Sequence, residues 1–99
     1  MEKPLKRSNE IKILQRKIVP ILKRNNIAKA GIFGSYARGD AKKGSDVDVV
    51  IEFNGSLLKL VMIEREIKEN LGLHIDLLTY KGLHPLLKDR ILQDEVRIL

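Results

Sequence analysis

Residues 33–53, FGSYARGDAKKGSDVDVVIEF, decide how this chain is read. The second half is a strand pattern. Val47, Val49, Ile51 and Phe53 alternate with Asp46, Asp48, Val50 and Glu52, so one face is apolar and the other begins with two acids. A strand that helps build a core has no packing reason to open on two carboxylates. A Gly-Ser pair, Gly34 and Ser35, stands ahead of them with ten residues between Ser35 and Asp46.

The other elements follow outward from this stretch. On the N-terminal side, residues 9–25 place Ile11, Leu14, Ile18 and Leu22 at helical spacing, with Pro20 expected to kink or divide the helix. Residues 27–33 read as a short strand, 35–39 as a short helix, and 40–45, with Lys42, Lys43 and Gly44, as a solvated turn. On the C-terminal side, Asn54-Gly55-Ser56 breaks the chain. Residues 57–71 form a helix with Leu57, Leu60, Val61, Glu64, Ile67 and Leu71 inward, and Gly72 ends it. Residues 73–79 are a third strand, and a last helix runs from Pro85 to Val96. The fold class is α/β (α+β): a small sheet flanked by helices, in a single domain over residues 1–99. The link between the first two strands is too short for a crossover helix, so that pair is expected antiparallel and the sheet mixed.

Composition narrows the setting. No run of eighteen apolar residues occurs, and the charged N-terminus lacks a signal-peptide core, so no membrane partner is expected. The absence of cysteine excludes disulfides and thiolate metal sites and suits a cytoplasmic protein. The net charge is +6, and Lys3, Lys6, Arg7, Lys12, Arg16, Lys17, Lys23, Arg24 and Lys29 all precede the Gly-Ser pair. That run is either a solvated helix face or a surface for a polyanion or an acidic protein. Two Tyr and two Phe offer little for stacking bases, so nucleic acid is the less favoured partner.

Asp46 and Asp48 lie close together on one face, and two charged carboxylates repel unless a cation sits between them. Oxygen-only ligands suit a hard cation, Mg²⁺ above all where phosphates complete the shell. The alternative is a pair of exposed acids that discourages edge aggregation. Asp76, alternating with Ile75 and Leu77 in an apolar strand, is a third acid that converges on the same place if its strand lies beside the second. A salt bridge to a nearby Lys or Arg is its alternative role. Gly34 and Ser35, at a strand-to-helix turn, aim backbone N–H groups and a hydroxyl at one point that favours phosphate oxygens. The alternative there is a simple N-cap serine. Arg38 is a candidate for a further contact to the phosphates or for a surface ion pair. Ser45 is read as a turn residue, His84 as a loop residue, His74 as a partly buried strand residue, Tyr36 as packed on the sheet, and Met62 and the leucines of the last helices as core.

Gly34-Ser35, ten residues, Asp46-Val47-Asp48 and a lone strand aspartate together resemble the signature of the DNA polymerase β-like nucleotidyltransferase superfamily. The short length is similar to its minimal nucleotidyltransferase branch, and the likeness covers residues 27–79 with helices at both ends. The resemblance implies the palm fold of that superfamily. It implies that Gly34 and Ser35 hold nucleotide phosphates, with Arg38 as a candidate, that Asp46 and Asp48 bind metal, and that Asp76 ligates the catalytic metal and takes the proton of the attacking hydroxyl. Two Mg²⁺ ions and ATP are then expected. Minimal members of this kind act as antitoxins, so the resemblance further implies AMP transfer from ATP to a tyrosine of a HEPN-domain ribonuclease toxin, in a hetero-oligomer; the basic N-terminal region is a candidate docking surface for that partner. Two other readings stay open: a non-catalytic module that binds the toxin, and transfer to RNA or a small hydroxylated acceptor.

Overall fold

Ile11, Leu14, Ile18, Ile21 and Leu22 are all buried along one side of α1 (Glu2–Arg24), which is what their spacing demands. The computed structural model describes residues 2–99, with side chains from Asn9 onward; Lys3, Lys6 and Arg7 of the basic run lie outside the described side chains. Helix α1 runs unbroken through Pro20, so the expected division does not occur. Pro20 is exposed, and water can satisfy the Arg16 carbonyl that loses its intrahelical donor.

The remaining elements are β1 (Ala30–Phe33), α2 (Gly34–Arg38), β2 (Val47–Ile51), α3 (Leu57–Leu71), β3 (Ile75–Thr79), α4 (Pro85–Asp94) and β4 (Val96–Arg97). The sheet order is β3-β2-β1-β4. Strands β1 and β2 pair antiparallel and β2 and β3 parallel, giving the mixed sheet expected from the short first connection. Strand β4 was not expected: the last helix stops at Asp94, Glu95 turns extended, and Val96 pairs with Ile32.

The two faces of the sheet have different fates. Val47, Val49, Ile51, Ile75 and Leu77 join Ala30 and Ile32 under α1 and α3 in the main core. Each fully buried Ile or Leu contributes about 1.5–3 kcal/mol relative to exposure. The other face holds a smaller cluster of Phe33, Val50 and Leu83, with Leu78, Tyr80 and Ile91 packed against it. Asp48 and Asp76 belong to that second face.

Helix α3 keeps Leu60, Ile67 and Leu71 inward as expected, but Ile63 takes the place expected for Leu57 and Val61. Ile63 and Ile67 are its buried residues, whereas Leu57 and Val61 are 76% and 50% exposed. Met62, Leu86 and Leu87, expected in the core, are also exposed. Ser56 caps α3 by accepting the Lys59 N–H, and Gly72 closes it with a left-handed φ of 67°. Among the described residues no helix is long and apolar enough to cross a membrane.

Candidate active site

Strand pairing builds the site. Asp48 and Asp76 are direct register partners across the parallel β2–β3 pair, and Phe33 stands opposite Asp48 across the antiparallel β1–β2 pair. One cross-strand row therefore reads Phe33, Asp48, Asp76, with all three on the same face. Asp46 precedes β2 by one residue and shares the parity of Asp48. Because β1 ends at Phe33, the chain turns into α2 at Gly34, directly beside Asp48.

Gly34 adopts φ +72°, and a Cβ placed there would overlap Asp48 Oδ2. A side chain at this position is thus excluded twice, by the left-handed backbone and by the carboxylate packed against it. The requirement for glycine at this position is therefore internal to the chain. Ser35 is not a cap. The N-cap of α2 is Phe33, with no side-chain hydrogen bond, and half-buried Ser35 lies inside the first turn. The Ser35 carbonyl accepts the N–H groups of Gly39 (2.9 Å) and Asp40 (3.0 Å), which closes α2.

Asp48 is half-buried, while Asp46 and Asp76 are exposed. Burial first, then the charges of Asp76 and Asp46, raise the Asp48 carboxyl to about 6 against the opposing charge of Arg38. Asp76 carries no burial cost in mid-strand, because β3 is an edge strand and the carboxylate meets water. Among the described residues no three Asp, Glu or His side chains lie in an arrangement that holds a metal ion as they stand. The donor chemistry nevertheless fits a hard cation: Asp48 and Asp76 are register partners, and burial together with the charges of Asp76 and Asp46 raises Asp48.

Arg38, at the end of α2, donates from Nη1 to Asp94 Oδ2 (3.2 Å) and from Nε to Asp40 Oδ2 (3.4 Å). The ion pair weighed for it from sequence is present, and its charge still reaches Asp48. Nothing local in the sequence marks Asp94 as its partner, since 56 positions separate them and only the docking of α4 beside α2 brings them together.

Ser45 is a turn residue: its hydroxyl accepts the Lys42 N–H (2.8 Å) and its N–H donates to the Lys42 carbonyl (2.9 Å). Tyr36 packs against the main core. His74 is exposed rather than partly buried, and its carbonyl accepts the Val47 N–H (2.9 Å) just where β2 begins. His84 is more than a loop residue: it is the N-cap of α4, with Nδ1 accepting the Leu86 N–H at 3.1 Å. Of the basic residues, Arg24 pairs with Glu66 (2.7 Å) and Lys29 lies over the Tyr80 ring (4.5 Å), while Lys12, Arg16, Lys17 and Lys23 are exposed. These four stand on α1, which packs on the face of the sheet opposite Asp48 and Asp76.

Residues 15–98 match the family described as nucleotidyltransferase domain. A relative from Methanocaldococcus jannaschii, named as a candidate protein adenylyltransferase, is 52% identical over 93 residues, covering 92% of this chain and 97% of its own. The protein adenylyltransferase MntA of Thermococcus cleftensis is 36% identical over 77 residues, covering 76% and 78%. Among solved structures, a candidate minimal nucleotidyltransferase has a TM-score of 0.75 at 24% identity, covering 89% of this chain and 92% of that one. A toxin–antitoxin crystal structure with AMP-PNP has a TM-score of 0.78 at 18% identity, covering 86% and 72%. At these identities the structural likeness speaks for the fold alone.

Proposed function

The chain belongs to the nucleotidyltransferase domain family, and from that premise we propose that it is a minimal member that transfers AMP from ATP to a tyrosine hydroxyl of a HEPN-class toxin, as the antitoxin of the pair. The observation that carries this reading is the row formed by Phe33, Asp48 and Asp76, with Gly34 packed on Asp48. It sets the strand-to-helix turn at Gly34 beside Asp48 and its register partner Asp76. The protein acceptor is supported by relatives named as protein adenylyltransferases and by folds shared with toxin–antitoxin complexes of MntA and HepT. An RNA acceptor has less support, since the exposed basic residues of α1 lie across the sheet from the acids.

In this reading the first turn of α2, through the Gly34 and Ser35 N–H groups and the Ser35 hydroxyl, binds the phosphates, and Arg38 adds a charged contact. Asp46, Asp48 and Asp76 are the residues that would hold Mg²⁺, which when bound, as one ion or two, supplies Lewis-acid stabilisation of charge on the phosphate oxygens. Both outer acids are exposed and can change rotamer at small cost. The tyrosine oxygen attacks the α-phosphorus, a new O–P bond forms, the bridging α–β P–O bond breaks, and pyrophosphate leaves. In this reading Asp76, exposed on the edge strand β3, takes the hydroxyl proton.

The test is intact-mass measurement after incubation with ATP, Mg²⁺ and a HEPN-class protein of the same organism. A gain of one or more AMP units on the partner, absent with Asp46→Asn/Asp48→Asn, is the expected result. A stable complex with no mass gain would overturn transfer to that partner and move the function to binding or to another acceptor.

A further inference from the structure

Arg38 is held by two carboxylates of unequal standing. Asp94 makes the shorter contact, 3.2 Å against 3.4 Å for Asp40, and its side chain is 24% exposed against 62%. Asp94 is also anchored on both sides in the chain. Before it, Ile91 packs against the cluster of Phe33, Val50 and Leu83; after it, Glu95 accepts the Tyr80 hydroxyl and Val96 pairs with Ile32. Gly31 keeps that anchor in place, because a Cβ there would overlap the Glu95 carboxylate.

Arg38 by contrast sits at the end of a five-residue helix that stops at once in a left-handed Gly39. A helix this short does little to fix a long side chain. What orients the guanidinium is the tether from α4. The two contacts use two of its five N–H donors and leave the others for a further acceptor. Arg38 lies one turn along α2 from Gly34, which packs on the Asp48 carboxylate, so the cation stands near the acid row, and its charge acts on Asp48.

We propose that Asp94 is a positioning residue for nucleotide binding: from the end of α4 it holds the Arg38 guanidinium at the mouth of the acid row, facing the anionic phosphates of a nucleoside triphosphate. This rests on the nucleotide-transfer reading. Its structural competitor is an ion pair that merely staples α4 to α2, and the two differ in what they predict for binding.

The experiment is titration of the purified protein with a non-hydrolysable ATP analogue and Mg²⁺, reading Kd, with folding followed by circular dichroism. Asp94→Asn is expected to raise Kd about three- to tenfold, the scale of one partly exposed charged contact, with Asp94→Glu within about twofold of the parent. In an Arg38→Gln background the same Asp94→Asn change should add nothing, since its effect passes through Arg38. In turnover, the KM for ATP should rise while kcat stays within about twofold. Asp94→Ser serves as a second variant. A Kd unchanged in both Asp94→Asn and Asp94→Ser, or an Asp94 effect undiminished without Arg38, would overturn the proposal and leave the staple. A parent protein that fails to bind the analogue would instead bring down the nucleotide-transfer reading, and this inference with it.

Discussion

Replacing Asp48 with asparagine should stabilise the protein at neutral pH when no divalent cation is present. The carboxyl of Asp48 is raised from 3.8 to about 6, by burial first and then by Asp76 and Asp46. Between those two values the folded chain keeps a proton that the unfolded chain has released, so folding stability falls as pH rises through that window. At about 1.36 kcal/mol per unit the shift corresponds to roughly 3 kcal/mol, but the side chain is only partly buried and water screens the repulsion. The expected loss is therefore about 1–2 kcal/mol, complete by about pH 7 and absent below about pH 4. Asparagine has no charge to bury, so the variant escapes this loss.

Urea melts of both proteins in EDTA, read by circular dichroism across that range, measure the difference directly. The gain of Asp48→Asn over the parent should grow by about 1–2 kcal/mol between about pH 4 and about pH 7, or roughly 4–16 °C in melting temperature near neutrality for a chain of this size. Added Mg²⁺ should then narrow the gap by stabilising the parent and not the variant. A difference that stays flat with pH to within about 0.3 kcal/mol would refute the claim that Asp48 is ionised at a cost.

Two further contrasts test the packing. Gly34→Ala should be at least about 1 kcal/mol more destabilising than Gly44→Ala: both strain a left-handed backbone by about 1–2 kcal/mol, but Gly44 faces open space while Gly34 faces Asp48. Equal losses in urea melts would show that the Asp48 contact does not constrain Gly34. In α3, Ile63→Ala should cost about 2–5 kcal/mol and Val61→Ala no more than about 0.5 kcal/mol; the reverse ranking would restore the helix phase read from the sequence.

That phase shows where local pattern stops deciding. The segment LLKLVMIEREIKENL carries two overlapping apolar stripes, one through Leu57 and Val61 and one through Leu60, Ile63 and Ile67. Either would make an amphipathic helix, and the choice is made by packing against α1 and the sheet, which bury Ile63 and Ile67. Strand β4 and the Arg38–Asp94 pair were illegible for the same reason: each exists only once the C-terminal segment docks. The alternation of β2 and the apolar side of α1 were legible because only one face of each could be buried. The acids were legible because their charge conflicts with the strand that carries them, and that conflict is visible in residue types alone.

The Gly34–Asp48 relation joins both kinds of information. The sequence presents a spacing, and the register explains why it holds: Phe33 pairs with Asp48, so the residue that leaves β1 must pass beside the carboxylate. Between them, α2 and the turn at Lys42–Ser45 only need to return the chain antiparallel. A one-residue slip of β2 against β1 would turn Asp48 toward the main core and bring Val47 or Val49 to Gly34, losing the site and the core together. The site's geometry is thus enforced by the same hydrophobic alternation that folds the sheet.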